Sequence, residues 1–343
     1  MPPKKRNHPA PANKPNKKNA CITSASGQTG HLVAELLLAD NDYAPKIGSL
    51  CLIAVDPHKC DDLKDIKMED DVPVTVIAHH PGKVKELATA LQHAKADVIF
   101  LIPPSSKDKM KLSEEMVYAT REAGIKCVVL LSAAGADLAD KEKQPHLREF
   151  VDIEQMVLQA KGDTSTEAGH SPCVIRAGFY AENLLLYNKQ AQASGKLPLP
   201  IGTAHKFAPV ALGDVAQVAT AVITGEGPHG LDDNHRGQLI TITGPMLCAG
   251  EELATAARDA LNVKMEFEDI TGDEAKKILE TAEIDESEKD YILEYYSLVK
   301  EGKANYVSTH SFQFMFGQKP MQPTEFFQTY DEEFKPKRRR TKA

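Results

Sequence analysis

The feature that most constrains this chain is a short apolar run that ends in small residues and then becomes a helical pattern. It runs from Cys21 to Gly30 with the sequence Cys-Ile-Thr-Ser-Ala-Ser-Gly-Gln-Thr-Gly. This pattern is typical of the first strand, phosphate loop and first helix of a dinucleotide-binding βα unit. Gly27 lets the backbone approach a pyrophosphate, Gly30 lets the helix pack closely, and the free amides at the helix start hold the phosphates. An ordinary strand-to-helix turn is the alternative, since Ser24 replaces the first of the three usual glycines.

Further strand and helix patterns alternate after this stretch. We predict strands at 47–55, 72–78, 97–102, 126–131 and 173–175, separated by helices that include 83–94, 109–122 and 145–160. This alternation predicts an α/β fold, a doubly wound parallel Rossmann sheet with helices on both faces. The predicted dinucleotide-binding domain covers residues 19–179, and its regular order favours the phosphate-loop interpretation over the ordinary turn.

The regular alternation of strands and helices ends in the second half of the chain. Residues 180–334 are predicted to form a smaller, mostly helical cap or substrate region, with 204–243 returning to the Rossmann sheet. Asp214 is expected to cap the N-terminus of a helix that reaches Thr224. The remaining predicted elements are helices at 182–194, 250–262, 272–282 and 286–302 and strands at 238–243 and 263–267.

The net charge of −8 conceals two basic ends. Residues 1–18 and 335–343 carry twelve lysines and arginines and no acid, so the rest of the chain has a net charge of −20. We predict that both ends are disordered tails, with the run 335–340 acting as a nuclear-targeting signal or simply as a solubilising end. The acidic body is a poor direct binder of nucleic acid.

The six cysteines are scattered singly and indicate reduced thiols inside the cell. Four of them lie in predicted strands, so buried thiols are favoured over disulfides or nucleophiles. No apolar run has the length of a membrane span, and the N-terminus lacks the apolar centre of a signal peptide. We therefore expect a cytoplasmic or nuclear protein, or one found in both compartments.

Candidate cofactor contacts follow two of the predicted strands. Asp56 ends the second strand, where a carboxylate can bind the adenosine ribose hydroxyls and favours NAD over NADP. Lys59 weakens that inference, and Asp56 can equally begin the turn at Pro57. Ser105 follows the buried fourth strand, whose carboxyl end should lie beside the cofactor.

The adjacent histidines His79 and His80 raise the question of a metal site. Neighbouring residues on a strand point to opposite faces, and no carboxylate or cysteine completes a ligand set. We therefore predict no metal.

Several segments between residues 20 and 270 resemble the NmrA-like branch of the atypical short-chain dehydrogenases. These segments are 23–30, 97–104, 123–126 with 129–132, 176–183, 213–216 and 242–245. The branch includes fungal nitrogen-metabolite regulators and redox sensors. It also includes reductases of quinones, triphenylmethane dyes, isoflavones and ergot-type iminium compounds.

The resemblance implies an NAD or NADP cofactor and assigns roles to named residues. It implies that Gly27, Gln28 and Thr29 line the pyrophosphate, that Asp56 or Lys59 lies near the ribose, and that Pro103 and Ser132 lie beside the nicotinamide. The other candidate cofactor contacts in the loop are Ser24, Ser26 and Gly30. It places Phe179, Tyr180 and Asn183 at the mouth of the substrate pocket.

The chain also departs from the family pattern around the reaction centre. No Tyr-x-x-x-Lys pair follows Ser132, and Phe150 stands where many relatives have a lysine four residues before a glutamate, here Glu154. Phe150 is therefore expected in the substrate pocket. Tyr180 is the candidate proton donor, and an aromatic wall is the alternative role for it.

Two classes of function follow from these residues. The first is an NAD(P)H-dependent reductase of a small electrophile such as a quinone, dye or imine, which accepts hydride without a dedicated acid. The second is a non-catalytic NAD(P) redox sensor that binds a regulatory protein partner, with the nucleus as one expected location. A DNA-binding module is disfavoured by the acidic body and the absence of a recognisable motif.

Overall fold

The computed structural model describes residues 17–66, 72–159, 172–227 and 230–335. These residues form the strands β1 (Lys18–Ile22), β2 (Ile47–Ala54), β3 (Val74–Ala78), β4 (Val98–Leu101), β5 (Cys127–Ala133), β6 (Cys173–Ala177), β7 (Lys196–Leu199), β8 (Leu239–Ile242) and β9 (Glu266–Asp269). The helices of the first half are α1 (Gln28–Ala39), α2 (Val84–Ala94), α3 (Lys109–Glu122) and α4 (Pro145–Leu158). Those of the second half are α5 (Asn188–Ser194), α6 (Leu212–Thr224), α7 (Gly250–Leu261), α8 (Gly272–Leu279), α9 (Glu286–Lys300), α10 (His310–Phe316), α11 (Pro323–Thr329) and α12 (Asp331–Phe334).

Seven strands form one parallel sheet in the order β3-β2-β1-β4-β5-β6-β8. The predicted doubly wound Rossmann sheet is therefore confirmed. The chain direction across the sheet reverses between β1 and β4. In such sheets, ligands bind in the crevice at the carboxyl ends of the strands on either side of this switch point.

The two faces of the sheet are buried by different helices. Ile22 and its neighbours on one face pack with Val33 and Leu37 of α1 and Val215 of α6. Cys21 points to the opposite face, as strand geometry requires, and joins a core formed with α2, α3 and α4. Because both faces are covered, the strands are almost continuously apolar.

A second core lies in the C-terminal region. It gathers Phe179, Tyr187, Tyr296 and Phe327 with apolar residues of α7, α8 and α9. The strands β7 and β9 pair in parallel beside this core. This pairing is not evident from the sequence. Helix α9 packs against α4 of the Rossmann layer, so the C-terminal region lies against the sheet domain.

Three sequence-based expectations need correction. Asp214 does not cap α6, because the helix begins at Leu212 and Asp214 lies in its first turn. The Asp214 carboxylate instead accepts a hydrogen bond from the amide of Met321 at 2.8 Å. The predicted helix 182–194 is divided into a 3-10 helix, Ala181–Tyr187, and α5. The strand expected at 263–267 is found at Glu266–Asp269.

Most of the two basic ends, residues 1–16 and 336–343, lies outside the described residues. Lys18, which we had assigned to the N-terminal tail, begins β1 instead. Its ammonium group donates to the carbonyls of Ile223 and Gly230 at 3.1 and 2.8 Å. Lys18 is therefore part of the fold, holding the end of α6 against the first strand. In the part of the chain that the structure describes, no helix is long and apolar enough to cross a membrane.

Candidate functional site

The loop after β1 contains a left-handed turn at the position where the first glycine of the usual pattern is missing. Ser24 has a φ of +48°, in the left-handed region that normally requires glycine. The amide of Gly27 then donates to the carbonyl of Ser24 at 2.9 Å, which closes the turn. Ser24 therefore takes the glycine conformation without being glycine.

Gly30 lies in tight contact with this turn. A Cβ on Gly30 would lie 2.7 Å from the carbonyl oxygen of Ser24 and 2.9 Å from the Cα of Ala25. A Cβ on Gly27 would meet the same carbonyl oxygen at 3.3 Å. The two glycines thus allow α1 to start directly beneath the turn, as the sequence analysis predicted for Gly30.

The N-terminus of α1 presents free backbone donors to the crevice. Within the described residues, no side chain caps this helix, and Gly27 and Gln28 are exposed while Ser26 is partly exposed. The first amides of a helix have no intrahelical acceptor and carry the positive end of its dipole. This end of α1 is therefore suited to an anionic group such as a pyrophosphate.

Side-chain hydroxyls tie the loop to the end of β4 across the switch point. The Oγ of Ser24 donates to the carbonyl of Ile102 at 2.8 Å, and the Oγ1 of Thr23 accepts from the amide of Ile102 at 2.7 Å. Pro103 follows directly and is partly exposed, and Ser105 is exposed. The structure thus places Pro103 at the crevice beside the loop.

A depression beside the loop lies at the carboxyl ends of β1 to β4. Its lining residues include Ser24, Val55, His79 and Pro104. Val55 is 59% exposed, an unusual exposure for a large apolar residue at the end of a buried strand. A flat apolar group such as an adenine ring would find contacts here.

Asp56 begins a turn at Pro57, which was the alternative to a ribose contact in the sequence analysis. Its Oδ1 accepts from the amide of His58 at 3.2 Å and caps the 3-10 helix Pro57–Cys60. Asp56 and Lys59 are both exposed beside the depression. A ribose contact by either side chain stays a prediction.

His79 has a structural partner. Its Nε2 lies 3.1 Å from an oxygen of Glu115, and the amide of Gly82 donates to the same carboxylate at 3.0 Å. Both His79 and Glu115 are buried. This pair holds the loop after β3 against α3. Among the described residues, no three histidine, cysteine, aspartate or glutamate side chains are grouped so that they could hold a metal ion.

Tyr180 reaches the first turn of α1 from the other side of the crevice. Its hydroxyl lies 3.3 Å from the Oγ1 of Thr29. Burial raises the pKa of Tyr180 to about 12, partly offset by the Thr29 hydroxyl, while Glu182 and Glu288 raise it further. At neutral pH the Tyr180 phenol is therefore neutral, able to donate a hydrogen bond but poorly suited to give up its proton.

The structure does not place the Ser132 hydroxyl in the crevice. Ser132 is 3% exposed, and its Oγ donates to Glu154 at 2.6 Å. The Glu154 carboxylate also accepts two hydrogen bonds of 2.8 Å from Arg176, which pairs in addition with Asp137 at 3.0 Å. The Ser132 side chain therefore belongs to a buried network, and its position beside a nicotinamide stays a prediction.

Phe179 also differs from its predicted place at the pocket mouth. It is 1% exposed, and its ring packs at 5.0 to 5.5 Å from the rings of Phe207, Tyr295 and Tyr296. Successive side chains in extended backbone point to opposite sides, so Tyr180 faces the crevice while Phe179 enters the core. Asn183 is partly exposed one turn after Tyr180.

Phe150 is partly exposed between two side chains that the sequence analysis did not connect with it. The ammonium nitrogen of Lys109 lies 4.6 Å from the centre of its ring, and the Tyr291 ring packs against it at 5.9 Å. Lys109 also pairs with Glu149 at 2.8 Å and donates to the carbonyl of His146 at 2.7 Å. Burial lowers the pKa of Lys109, while Glu149 opposes that change.

Helix α9 supplies residues that sequence reasoning missed. Glu288, Tyr291 and Tyr295 are spaced i, i+3 and i+7, so they share one face of the helix. Tyr291 packs on Phe150, and Tyr295 packs on Phe179 at 5.1 Å. The spacing was visible in the sequence, but only the docking of α9 on α4 shows that this face packs against Phe150 and Phe179.

Comparison with known proteins agrees with this geometry. The model of the NmrA-like family matches residues 16–327. An NAD(P)H azoreductase of Xenophilus azovorans is 25% identical over 246 residues, covering 67% of this chain and 80% of the azoreductase.

Two solved structures share the fold over nearly the whole chain. An NADPH-dependent quinone oxidoreductase from Escherichia coli, complexed with NADPH, superposes with a TM-score of 0.73 at 19% identity, covering 91% of this chain and 99% of the enzyme. NmrA, a negative transcriptional regulator in complex with NADP, superposes with a TM-score of 0.68 at 13% identity. The match covers 93% of this chain and 97% of NmrA.

Proposed function

Because this chain belongs to the NmrA-like family, we propose that it is an NAD(P)H-dependent reductase of a small electrophilic substrate. The observation that carries the proposal is the uncapped start of α1 at the switch point, with the Tyr180 hydroxyl 3.3 Å from Thr29 in its first turn. A helix start suited to a phosphate thus lies next to an aromatic side chain. The azoreductase and the quinone oxidoreductase named above share this family or this fold.

The residues of the crevice offer contacts of the kinds that a dinucleotide needs. The amides of Gln28 and Thr29 would hold the pyrophosphate, and the close contacts at Gly30 keep the helix start where the phosphates need it. Val55 and Pro104 would bracket the adenine. When bound, the reduced nicotinamide supplies the hydride. The protein orients the two reactants and excludes water between them.

Asp56 is the residue we propose to favour NAD, since its carboxylate would repel a 2′-phosphate. Lys59 would favour NADP by attracting that phosphate. Asp56→Ala should raise the affinity for NADPH relative to NADH, and Lys59→Ala should lower it. An unchanged affinity ratio in Asp56→Ala would remove this residue from the selectivity argument.

The test of the proposed function is a titration of the purified protein with NAD⁺, NADH, NADP⁺ and NADPH. It is followed by a screen of NAD(P)H consumption against quinones, dyes and imines. Binding of at least one reduced cofactor and its oxidation by one of these substrate classes is the expected result. A protein that binds none of the four nucleotides would contradict the proposal.

A second candidate function is a redox sensor that binds NAD(P) and reports its state to a protein partner. The observations that favour it are the pKa of the Tyr180 phenol, which burial raises to about 12 so that it gives up its proton poorly, and Phe150 at the position where many relatives have a lysine. The basic run 335–340 would direct the protein to the nucleus. Nucleotide binding without turnover, with nuclear localisation lost when residues 335–343 are deleted, would favour this function over the reductase.

A further inference from the structure

One wall of the depression beside the phosphate loop is a buried histidine. His79 follows β3 directly, is 3% exposed, and lines the depression together with Ser24, Val55 and Pro104. Its amide donates to the carbonyl of Ala54 at 2.9 Å, which continues the pairing of β3 with β2. The backbone therefore fixes this imidazole at the carboxyl edge of the sheet, where nucleotides bind in such folds.

A buried carboxylate fixes one nitrogen of the imidazole. The Nε2 of His79 lies 3.1 Å from the Oε2 of Glu115, and the amide of Gly82 donates to both oxygens of that carboxylate at 3.0 and 3.1 Å. A neutral imidazole carries a single N–H, and a carboxylate can only accept. The N–H of the neutral ring therefore lies on Nε2, and Nδ1 is left as a hydrogen-bond acceptor.

The Nδ1 nitrogen of His79 is available to a ligand. In the part of the chain that the structure describes, Glu115 is the one hydrogen-bond partner of the His79 ring. Nδ1 is also not among the unpaired polar atoms that the described residues enclose completely. Because His79 is otherwise buried, the open space that Nδ1 can reach is the depression. Buried polar groups are rarely left unpaired, so this acceptor calls for a donor from a bound molecule.

We propose that Nδ1 of His79 accepts a hydrogen bond from the 6-amino group of the cofactor's adenine, and that Glu115 makes this recognition selective by holding the ring in one tautomer. The proposal rests on the nucleotide binding argued above and names the groups that distinguish one base from another. Val55 and Pro104 would contact any purine equally, because apolar contacts have no direction. His79 supplies the direction, and Glu115 acts through it as a positioning residue.

The 6-position of the purine decides because adenine and hypoxanthine present opposite groups there. The amino group of adenine donates a hydrogen bond. The carbonyl oxygen of hypoxanthine accepts one, so it would face the lone pair of Nδ1 and leave two acceptors opposed. The lost hydrogen bond corresponds to about tenfold in affinity. A cofactor that contains hypoxanthine should therefore bind more weakly, although its phosphates, riboses and nicotinamide are unchanged.

The experiment measures binding rather than turnover. Fluorescence titrations at pH 8, which favours the neutral imidazole, compare NADH and NADPH with the hypoxanthine analogue of each. We expect the wild-type protein to bind the adenine forms about tenfold more tightly.

Two variants test the roles of the pair. In His79→Gln the side-chain amide can still donate to Glu115 from the position of Nε2, but no acceptor replaces Nδ1. The preference for adenine should therefore fall below about threefold. Glu115→Gln should lower the preference as well, because its amide can also donate to Nε2 and so allows the N–H of His79 to move to Nδ1.

The control is His93→Asn, which removes an exposed imidazole from α2 outside the depression and should keep the wild-type preference. Equal affinity of the wild-type protein for the adenine and hypoxanthine forms would overturn the role of His79 and leave the nucleotide site standing. A full preference for adenine in His79→Gln, shown to be folded by its thermal unfolding, would overturn it as well. Failure of the wild-type protein to bind any of these nucleotides would overturn both this inference and the proposed function.

Discussion

The hydroxyl of Tyr180 lies 3.3 Å from the Oγ1 of Thr29, although the two residues are 151 positions apart in the chain. This contact links the segment after β6 to the first turn of α1, across the carboxyl edge of the sheet. It joins the wall of the aromatic crevice to the helix end that offers amides to a phosphate. The position of Tyr180 and the start of α1 are therefore coupled.

Tyr180→Phe tests that coupling. We expect it to weaken NADPH binding about fivefold, which is the effect of one neutral hydrogen bond. We expect kcat to fall less than tenfold, because a phenol whose pKa is raised to about 12 gives up its proton poorly. Thr29→Val should have a similar effect on binding, and the double variant should lose little more than either single one. A fall in kcat of a hundredfold or more in Tyr180→Phe would identify the phenol as the acid.

Gly30→Ala should disrupt the phosphate site. The new Cβ would lie 2.7 Å from the Ser24 carbonyl oxygen and 2.9 Å from the Cα of Ala25, and backbone atoms cannot move aside as a flexible side chain can. We expect NADPH affinity to fall at least about tenfold, measured by fluorescence titration. Gly213→Ala in α6 is the control, because no atom lies within 4 Å of its Cβ position and alanine favours a helix. Unchanged affinity in Gly30→Ala would exclude this loop as the nucleotide site.

Ser24 offers a test of backbone strain. Ser24→Ala keeps the left-handed conformation and loses the hydrogen bond to Ile102, whereas Ser24→Gly loses the same bond but relieves the strain. We expect Ser24→Ala to be the less stable variant by about 1 kcal/mol in urea unfolding. Equal stability of the two variants would show that the left-handed conformation at Ser24 carries no such cost.

The sheet and its phosphate loop were predictable because their signals are local. Alternating apolar runs and helical patterns encode the βα units, and small residues from Ser24 to Gly30 encode the turn. The missing first glycine is weak evidence against the turn, because Ser24 adopts the left-handed conformation usual for glycine. The Ser24 hydroxyl also donates a hydrogen bond to the carbonyl of Ile102, which holds the turn against β4.

The other half of the site depends on contacts that no local pattern contains. The sequence shows Tyr291 only as part of an acidic amphipathic helix, and the packing of α9 on α4 places its ring against Phe150. The position of Ser132 at the end of β5 likewise does not reveal that its hydroxyl donates to Glu154. Long-range partners decided each of these roles.

Ser132→Ala distinguishes the two roles of that serine. Because the Glu154 carboxylate would lose a buried hydrogen bond of 2.6 Å, we expect a loss of about 1 to 3 kcal/mol in the free energy of unfolding. NADPH affinity should stay within about twofold of the wild type. Weaker cofactor binding at unchanged stability would restore the original assignment of Ser132 to the nicotinamide side.

Asp214 should make the stability of the fold depend on pH. It is 7% exposed, and burial together with the nearby Glu325 raises its pKa to about 6 from an ordinary 3.8, although the Met321 amide opposes the shift. A carboxyl group whose pKa is higher in the folded state binds its proton more tightly there. Its contribution to stability is therefore greatest below about pH 4 and is lost as the pH rises through about 6.

Asp214→Asn removes this dependence while its side-chain oxygen can still accept from the Met321 amide. We expect the variant and the wild type to differ little at pH 4, and the variant to become more stable by about 2 to 3 kcal/mol above pH 7. Urea unfolding at a series of pH values measures the difference in the free energy of unfolding between the variant and the wild type. The contributions of the other titrating groups are the same in both proteins and cancel in this difference. Asp259→Asn on the exposed face of α7 is the control and should stay within about 0.5 kcal/mol of the wild type throughout. If this difference in the free energy of unfolding did not change with pH, or if the wild type were the more stable protein at high pH, the fold would not disfavour the charged form of Asp214.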